Sequence, residues 1–254
     1  MLLTIDLNAD LGEGSGRSRL PQDEALLNLV SSANIACGFH AGDATTMRDT
    51  VRAAKARGVR IGAHPSYPDI PGFGRRELGL EPRQVHFHVA YQLRALRDLC
   101  GLETARLSYV KPHGALYNRA ANDAVAADAI ASAMRELDPS LILLGLAGSE
   151  MARAAERAGV PFASEAFADR AYRRDGSLVP RAEPGSVIHD VEAAVARAIT
   201  LIKSNTVEAD DGSTVGVIAR SLCVHGDNPH AEPMLRALRA GLETSGVTIA
   251  PFAA

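Results

Sequence analysis

The chain has no tryptophan, and its six Phe and five Tyr amount to 4% of 254 residues. A ligand stacked on a broad aromatic platform, as many sugars are, is therefore not expected. Cysteine is scarce. Cys37, Cys100 and Cys223 are widely spaced and odd in number, which fits reduced thiols better than a disulfide framework. A basic excess is also missing. Lys and Arg number 27 against 30 Asp and Glu, for a formal net charge of -3. Nothing is left over to neutralise phosphates, so nucleic acids and anionic membrane surfaces drop out as partners. The start, Met1-Leu2-Leu3-Thr4-Ile5-Asp6, lacks a basic region and a long apolar run, and no later segment is apolar enough to span a bilayer. A cytoplasmic location is the expectation. The sequence contains no GxxxxGK[ST] loop and no HExxH. The glycines of Gly145-Leu146-Ala147-Gly148-Ser149 are too loosely arranged to define an anion site.

Hydrophobic residues are plentiful, at 46%, and they are patterned. Short apolar runs alternate with glycine-containing polar motifs and then helical stretches. Leu3, Ile5 and Leu7 alternate with Thr4, Asp6 and Asn8, the period of a strand. Further strands are expected at Asn34 to Cys37, Val59 to Ala63, Leu107 to Val110, Leu141 to Leu144, Phe162 to Phe167, Leu222 to Val224 and Val247 to Ala250. Helices are expected between them. One runs from Asp43 to Arg57 with a Met47, Val51, Ala54 stripe, and others open at Pro82 and span Asp123 to Leu137. Asp211-Gly212 marks a hairpin turn, and Asp169 to Arg181 reads as an ordered loop. No linker interrupts the pattern, so residues 1–254 are expected to form one α/β domain. Seven or eight βα units imply a distorted parallel β/α barrel, with a doubly wound open sheet as the alternative.

The polar motifs follow the strands. Asp6, Asn8, Asp10 and Glu13 lie in DLNADLGEG, His40 and Asp43 in CGFHAGD, and His64 in GAHPSYPD. Lys111 and His113 lie in VKPHGALYN, Asp169 and Arg170 in FADRAY, and His225 and Asp227 in CVHGD. A single His beside a strand end is usually structural. Six such motifs are a different matter, because the carboxyl ends of parallel barrel strands share one face. His86, His88, His189 and His230 fall within or near helices and read as surface or capping residues. Cys37 and Cys223 sit in strand runs and read as buried small hydrophobes rather than nucleophiles. A hydrolytic zinc site takes two His and a carboxylate around an open position, and Asp10, His40 and His64 offer one such set. The spacing leaves the presence and identity of a divalent metal open.

These motifs, taken in order through FADRAYRRDGSLVPR and CVHGD, resemble the family of 5-oxoprolinase A-subunits, also called lactam-utilisation proteins, over nearly the whole chain. The resemblance implies a β/α barrel related to the glycoside hydrolase/deacetylase group. It also implies ATP-dependent opening of the lactam of 5-oxo-L-proline to L-glutamate, with partner subunits B and C and ATP as co-substrate. For that chemistry Asp10 or His40 is the candidate base, and Lys111 and His113 stabilise negative charge. His225, oriented by Asp227, is the candidate acid. Arg170 or Arg181 is placed to hold the substrate carboxylate, with Asn8, Glu13, Asp43, His64 and Asp169 as further binding candidates. Two other functions stay open: a metal-dependent deacetylase or amidase acting alone, and a non-catalytic substrate-binding subunit.

Overall fold

The computed structural model describes residues 3–14, 20–225 and 231–253. The elements run β1 (Leu3–Leu11), α1 (Leu20–Leu27), β2 (Ser32–Ala36), α2 (Ala44–Ala56), β3 (Arg60–His64), α3 (Pro82–Leu102), β4 (Leu107–Val110), α4 (Gly114–Asn122), α5 (Ala124–Leu137), β5 (Ile142–Leu146), α6 (Glu150–Ala158), β6 (Phe162–Phe167), α7 (Val191–Ser204), β7 (Thr206–Glu208), β8 (Thr214–Gly216), β9 (Ser221–Val224), α8 (Ala231–Thr244) and β10 (Val247–Ile249). Strands β1 to β6 pair in sequence order, β6 pairs with β9, and β9 closes on β1, all in parallel. The result is a closed barrel, not an open sheet. Among the described residues it has seven strands. The last expected strand, β10, does not enter it, because it pairs with Leu3 to Ile5 of β1, below the level where β9 takes over at Asp6.

The two faces of β1 show how the pattern is used. Ile5, Leu7, Ala9 and Leu11 are buried in the main hydrophobic cluster, which extends to the helices. Asp6, Asn8 and Asp10 alternate with them and are also buried, so they point into the barrel. Around the outside, α2 packs Met47, Thr50, Val51 and Ala54 inward and starts at Asp43, whose carboxylate accepts from Thr46 N at 2.8 Å. Helix α3 starts with a Glu81/Gln84 capping box and Pro82. The expected hairpin forms as β7 against β8. Helix α4 is not expected from the apolar pattern. It begins at a positive-φ glycine and is rich in Asn, and its buried side comprises only Leu116, Tyr117, Ala120 and Ala121. No described helix is long and apolar enough to cross a membrane.

The barrel interior is unusually polar at its closed end. Asp6 accepts from Ser31 Oγ at 2.7 Å, from Ser32 Oγ at 2.6 Å and from Ser221. Burial raises its pKa to about 6 in spite of those hydroxyls. The folded state therefore prefers the protonated acid, and stability is lost as pH rises from the unfolded value toward 6. The cost of ionisation at neutral pH is on the order of 3 kcal/mol. Asp6→Asn, which cannot ionise, is expected to raise Tm relative to the parent chain at pH 8 and to lose that advantage by pH 4. Thermal melts of both chains across that range check it, and a pH-independent difference would refute ionisation of Asp6.

Candidate functional site

Above Asp6 the inward positions form one hydrogen-bonded layer. Asn8 Nδ2 donates to Glu165 Oε1 at 2.9 Å and to Ser221 Oγ at 2.7 Å. Its Oδ1 accepts from Asn34 Nδ2 at 2.7 Å. The Tyr109 hydroxyl crosses the barrel to donate to Asn34 Oδ1 at 2.7 Å. This crossing requires a glycine at the adjacent strand position. Gly62 pairs with Tyr109 in register, and a Cβ at Gly62 would collide with the phenol ring. Tyr117, from α4, donates to Glu165 Oε2 at 3.0 Å. Burial, with the Glu165 carboxylate, holds the Tyr117 phenol well above its ordinary pKa, so it stays a donor.

The next layer holds a charge. Lys111 Nζ lies 3.1 Å from Asp10 Oδ1, 3.0 Å from Glu165 Oε1, 3.3 Å from Asn8 Oδ1 and 3.0 Å from Cys223 Sγ. Burial alone would drive the ammonium to lose its proton. The Asp10 and Glu165 carboxylates outweigh it and hold the Lys111 pKa well above the ordinary lysine value. The same balance acts on Asp10. Burial pushes it up, but His64 and Lys111 prevail and keep it well below the usual carboxylate range. Cys223 stays a thiol, because burial pushes its pKa far up. It is buried as expected from the sequence, yet it touches the ammonium.

Three imidazoles sit at the mouth. His64 Nδ1 is 2.7 Å from the carbonyl of Lys111, and His113 Nε2 is 2.9 Å from the carbonyl of Phe73. Their other nitrogens, His64 Nε2 and His113 Nδ1, face each other at 3.0 Å. Glu13 Oε1 lies 3.4 Å from His113 Nδ1 and 3.2 Å from His40 Nε2, and the His40 and His113 rings stack at 3.8 Å. Burial, then the neighbouring imidazoles, holds both His40 and His113 well below the ordinary histidine pKa. The loop between β3 and α3 closes over them. Gly74, at φ +64, packs so tightly that a Cβ would come within 2.8 Å of His40 and 2.9 Å of His113.

Across the mouth His225 Nδ1 lies 3.1 Å from Asp169 Oδ2, and its ring stacks on Phe167 at 5.3 Å. Strand register explains the pairing. Phe167 is opposite Cys223, so two residues further on Asp169 is opposite His225. Among the described residues the orienting carboxylate of His225 is therefore Asp169, which serves the imidazole rather than standing open to a ligand. Asp227 lies outside the described residues. A small cavity, about 40 Å³, is lined by Asp10, His64, Arg75, Lys111, His113, Phe167, Arg170, Arg181 and His225, among others.

Most of the sequence candidates thus converge. Asp10, His64, Lys111, His113, Arg170, Arg181 and His225 line one cavity, with Glu13 and His40 behind the imidazoles. Asn8 lies deeper, inside the barrel network. Asp43 stands apart as an exposed helix cap. Arg170 spends its guanidinium on the carbonyls of Ser186, at 3.1 Å, and Val179, at 2.5 Å. Burial and the nearby Arg181 lower its pKa to about 10. Four important groups do not stand out in the sequence: Glu165, Asn34, Tyr109 and Tyr117. Glu165 leaves one trace, a carboxylate in the middle of the otherwise uncharged strand Phe162–Phe167.

The sequence profile of the LamB/YcsF family matches residues 5–254. The chain belongs to the LamB/YcsF family. A relative from Streptomyces avermitilis, named as the A-subunit of 5-oxoprolinase, is 53% identical over 249 residues, covering 98% of this chain and all of the relative. The solved lactam utilization protein from Thermus thermophilus is 46% identical, with a TM-score of 0.92 over 98% of this chain and 100% of that one. A more distant likeness, to T48 deacetylase, has 13% identity and a TM-score of 0.50 over 98% of this chain and 87% of that one, and it concerns the fold alone. The family resemblance and the parallel β/α barrel it implies are both borne out.

In this LamB/YcsF protein two buried carboxylates, Asp10 and Glu165, share the Lys111 ammonium. Lys111→Met is expected to destabilise the chain by roughly 3–5 kcal/mol, and adding Glu165→Gln should recover part of that loss. Urea unfolding of the two single variants and the double variant measures the coupling. Losses that simply add would show that Lys111 and Glu165 do not interact.

Proposed function

We propose that this chain is the A-subunit of an ATP-dependent 5-oxoprolinase. With subunits B and C it opens the lactam of 5-oxo-L-proline to L-glutamate, and ATP is hydrolysed to ADP and phosphate. The observation that carries this reading is a cavity with arginines at its edge and a buried Lys111–Asp10 pair beside a His225–Asp169 dyad. The names of relatives half identical over nearly the full chain support it.

The substrate is a small amide ring bearing a carboxylate. Arg75 and Arg181 line the cavity and both are exposed; of the two sequence candidates for that carboxylate, Arg170 and Arg181, Arg181 is the one with a guanidinium open to the mouth. Arg170 is committed to backbone carbonyls and shapes the wall instead. The lactam is resonance-stabilised, and ring closure of glutamate competes with opening. Transfer of a phosphoryl group from ATP to the lactam oxygen, with release of ADP, makes the ring carbon electrophilic; water adds there, the ring C–N bond breaks as the nitrogen takes up a proton, and a second water hydrolyses the resulting acyl phosphate to glutamate and phosphate. We assign that activation to the B and C subunits, since this sequence holds no phosphate-cradling loop.

Of the two candidates for the base, Asp10 lines the cavity, whereas His40 is enclosed between Glu13, His113 and Gly74. An Asp10 carboxylate with a depressed pKa orients water but holds a proton weakly. His225 is the group suited to carry a proton to the ring nitrogen, because Asp169 fixes its Nδ1. Lys111 stabilises negative charge on the oxygen, whereas His113 commits its Nε2–H to the carbonyl of Phe73.

A second reading rests on the imidazole cluster: a metal-dependent amidase acting without partners or ATP. Glutamate release from 5-oxoproline by the purified chain, alone and with the B and C proteins and ATP, separates the two. Release that needs all components supports the first reading. Full activity of the chain alone supports the second. In the complete system His225→Ala should lower kcat by about 100-fold or more. Arg181→Ala should raise KM by on the order of tenfold, with a smaller effect on kcat. Near-normal turnover of both Asp10→Asn and His225→Ala would sink the assignment of this cavity.

A further inference from the structure

We infer that Glu13, His40, His64 and His113 form a binding site for one divalent metal ion of the zinc class. The argument starts from which ring nitrogens carry protons. A backbone carbonyl oxygen only accepts, so His64 must be protonated at Nδ1, facing Lys111 O at 2.7 Å. By the same rule His113 must be protonated at Nε2, facing Phe73 O at 2.9 Å. In the neutral tautomers this leaves lone pairs on His64 Nε2 and His113 Nδ1, and those two atoms lie 3.0 Å apart. Two acceptors at that distance repel unless a cation sits between them.

Glu13 adds a third acceptor to the same spot, with Oε1 3.4 Å from His113 Nδ1 and 4.0 Å from His64 Nε2. His40 Nε2 lies 3.2 Å from that oxygen. Facing that carboxylate, Nε2 carries the proton when no ion is bound; Nδ1 is buried without a hydrogen-bond partner, so an ion can displace the proton to Nδ1 at the expense of the Glu13 contact alone. One ligand atom from each of the four residues lies within 4.8 Å of all the others. Zinc bonds of 2.0–2.1 Å imply an edge of about 3.3 Å in a tetrahedron of ligands, and three of the separations, 3.0, 3.2 and 3.4 Å, are near it. A proton between His64 and His113 would relieve only that pair. One divalent ion satisfies all four groups.

The donor chemistry selects the ion. Three imidazoles and one carboxylate suit zinc and its first-row neighbours, not magnesium or calcium, which take oxygen ligands. The carbonyls of Lys111 and Phe73 are the outer partners that metal-bound imidazoles commonly have. The carboxylate differs from the one expected from sequence. Asp10 Oδ1 is 3.4 Å from His64 Nε2, but it already accepts from Asn34 and Lys111. Glu13, past the end of β1, takes its place beside His40 and His113. Since His64 and His113 also line the cavity, the ion would sit at its wall.

This site does not depend on which reaction the chain performs, and the test reads binding directly. The full chain, stripped with a chelator, is titrated with Zn²⁺ alone by calorimetry, and Co²⁺ is added to a second sample to record its visible absorption. The expected result is one ion per chain, with cobalt bands typical of four or five ligands. His64→Gln, His113→Gln and Glu13→Gln should each weaken Kd by about tenfold or more. His86→Ala, an imidazole paired with Glu136 on the outer surface, should leave Kd unchanged. Zn²⁺ should also raise the Tm of the parent chain, and do so less in the ligand variants. Should a histidine variant not fold, Glu13→Gln carries the comparison. A folded parent chain that takes up no Zn²⁺, or one whose affinity is the same in every folded ligand variant, overturns the site.

Discussion

The structure depends on the buried ammonium of Lys111. Taking the Lys111 ammonium out of water costs several kcal/mol, and only close, well-aligned anions offset that cost. Asp10 from β1 and Glu165 from β6 supply them, at 3.1 and 3.0 Å, and Cys223 from β9 completes the contact. The charge, on the residue that follows β4, thus ties together three strands that are far apart in sequence. It also fixes the layer beneath. Glu165 is bound on both oxygens, by Asn8 and Tyr117, and Asn8 in turn is held by Asn34 and Tyr109. A barrel filled with aliphatic side chains would tolerate substitution by volume. A filled polar network does not, because each deletion leaves a buried partner unsatisfied.

The mouth is organised by a different force. Here loop backbone sets the side chains. The segment between β3 and α3 is stapled by Asp69 to Arg76, and Ala115 N donates to Gly74 O at 2.9 Å. The same segment presents the Phe73 carbonyl that orients His113. Phe73 adopts φ +53, a costly conformation for a residue with a side chain, and the packing around Gly74 leaves little room for another path. Loop conformation and imidazole tautomer are therefore one problem. A change that relaxed the Phe73–Gly74 turn would release the proton on His113 Nε2 and rotate the ring away from its neighbours.

Sequence made the architecture and most of the mouth legible, and the reason is periodicity. The alternation Asp6, Asn8, Asp10 against Ile5, Leu7, Ala9 announces a strand with two different faces, and a polar residue after each apolar run announces a shared end. Interior contacts were less visible. Glu165 and Tyr109 sit inside strands, where one polar residue looks like an ordinary outward position. Whether it faces the barrel or the helices depends on register, which pairing decides. His225 illustrates the point. Asp227 is its neighbour along the chain, whereas Asp169, 56 residues away, is its partner across the β6–β9 pair. The number of strands was ambiguous for a similar reason. Val247–Ile249 has the composition of a barrel strand but meets only the first residues of β1.

Charge changes sign with depth, and this bears on the ligand. The wall of the cavity combines Asp10 with Lys111, a pair that is nearly neutral as a unit, while Arg75 and Arg181 add positive charge. A neutral amide has no use for the arginines, and a long polymer would need an open groove rather than a small cavity. A small molecule with an amide at one end and a carboxylate at the other uses both halves. Its carboxylate is attracted to the arginines, which leaves the amide toward Asp10, Lys111 and His225, the groups able to orient water, hold charge and move a proton. On the proposed reading the compact 5-oxoproline ring meets these demands, since its carboxylate and lactam carbonyl lie on opposite sides of one ring nitrogen. The polar interior contributes by staying still: side chains fixed by buried hydrogen bonds need not reorganise as charge develops, which is the condition under which such a pocket stabilises a transition state.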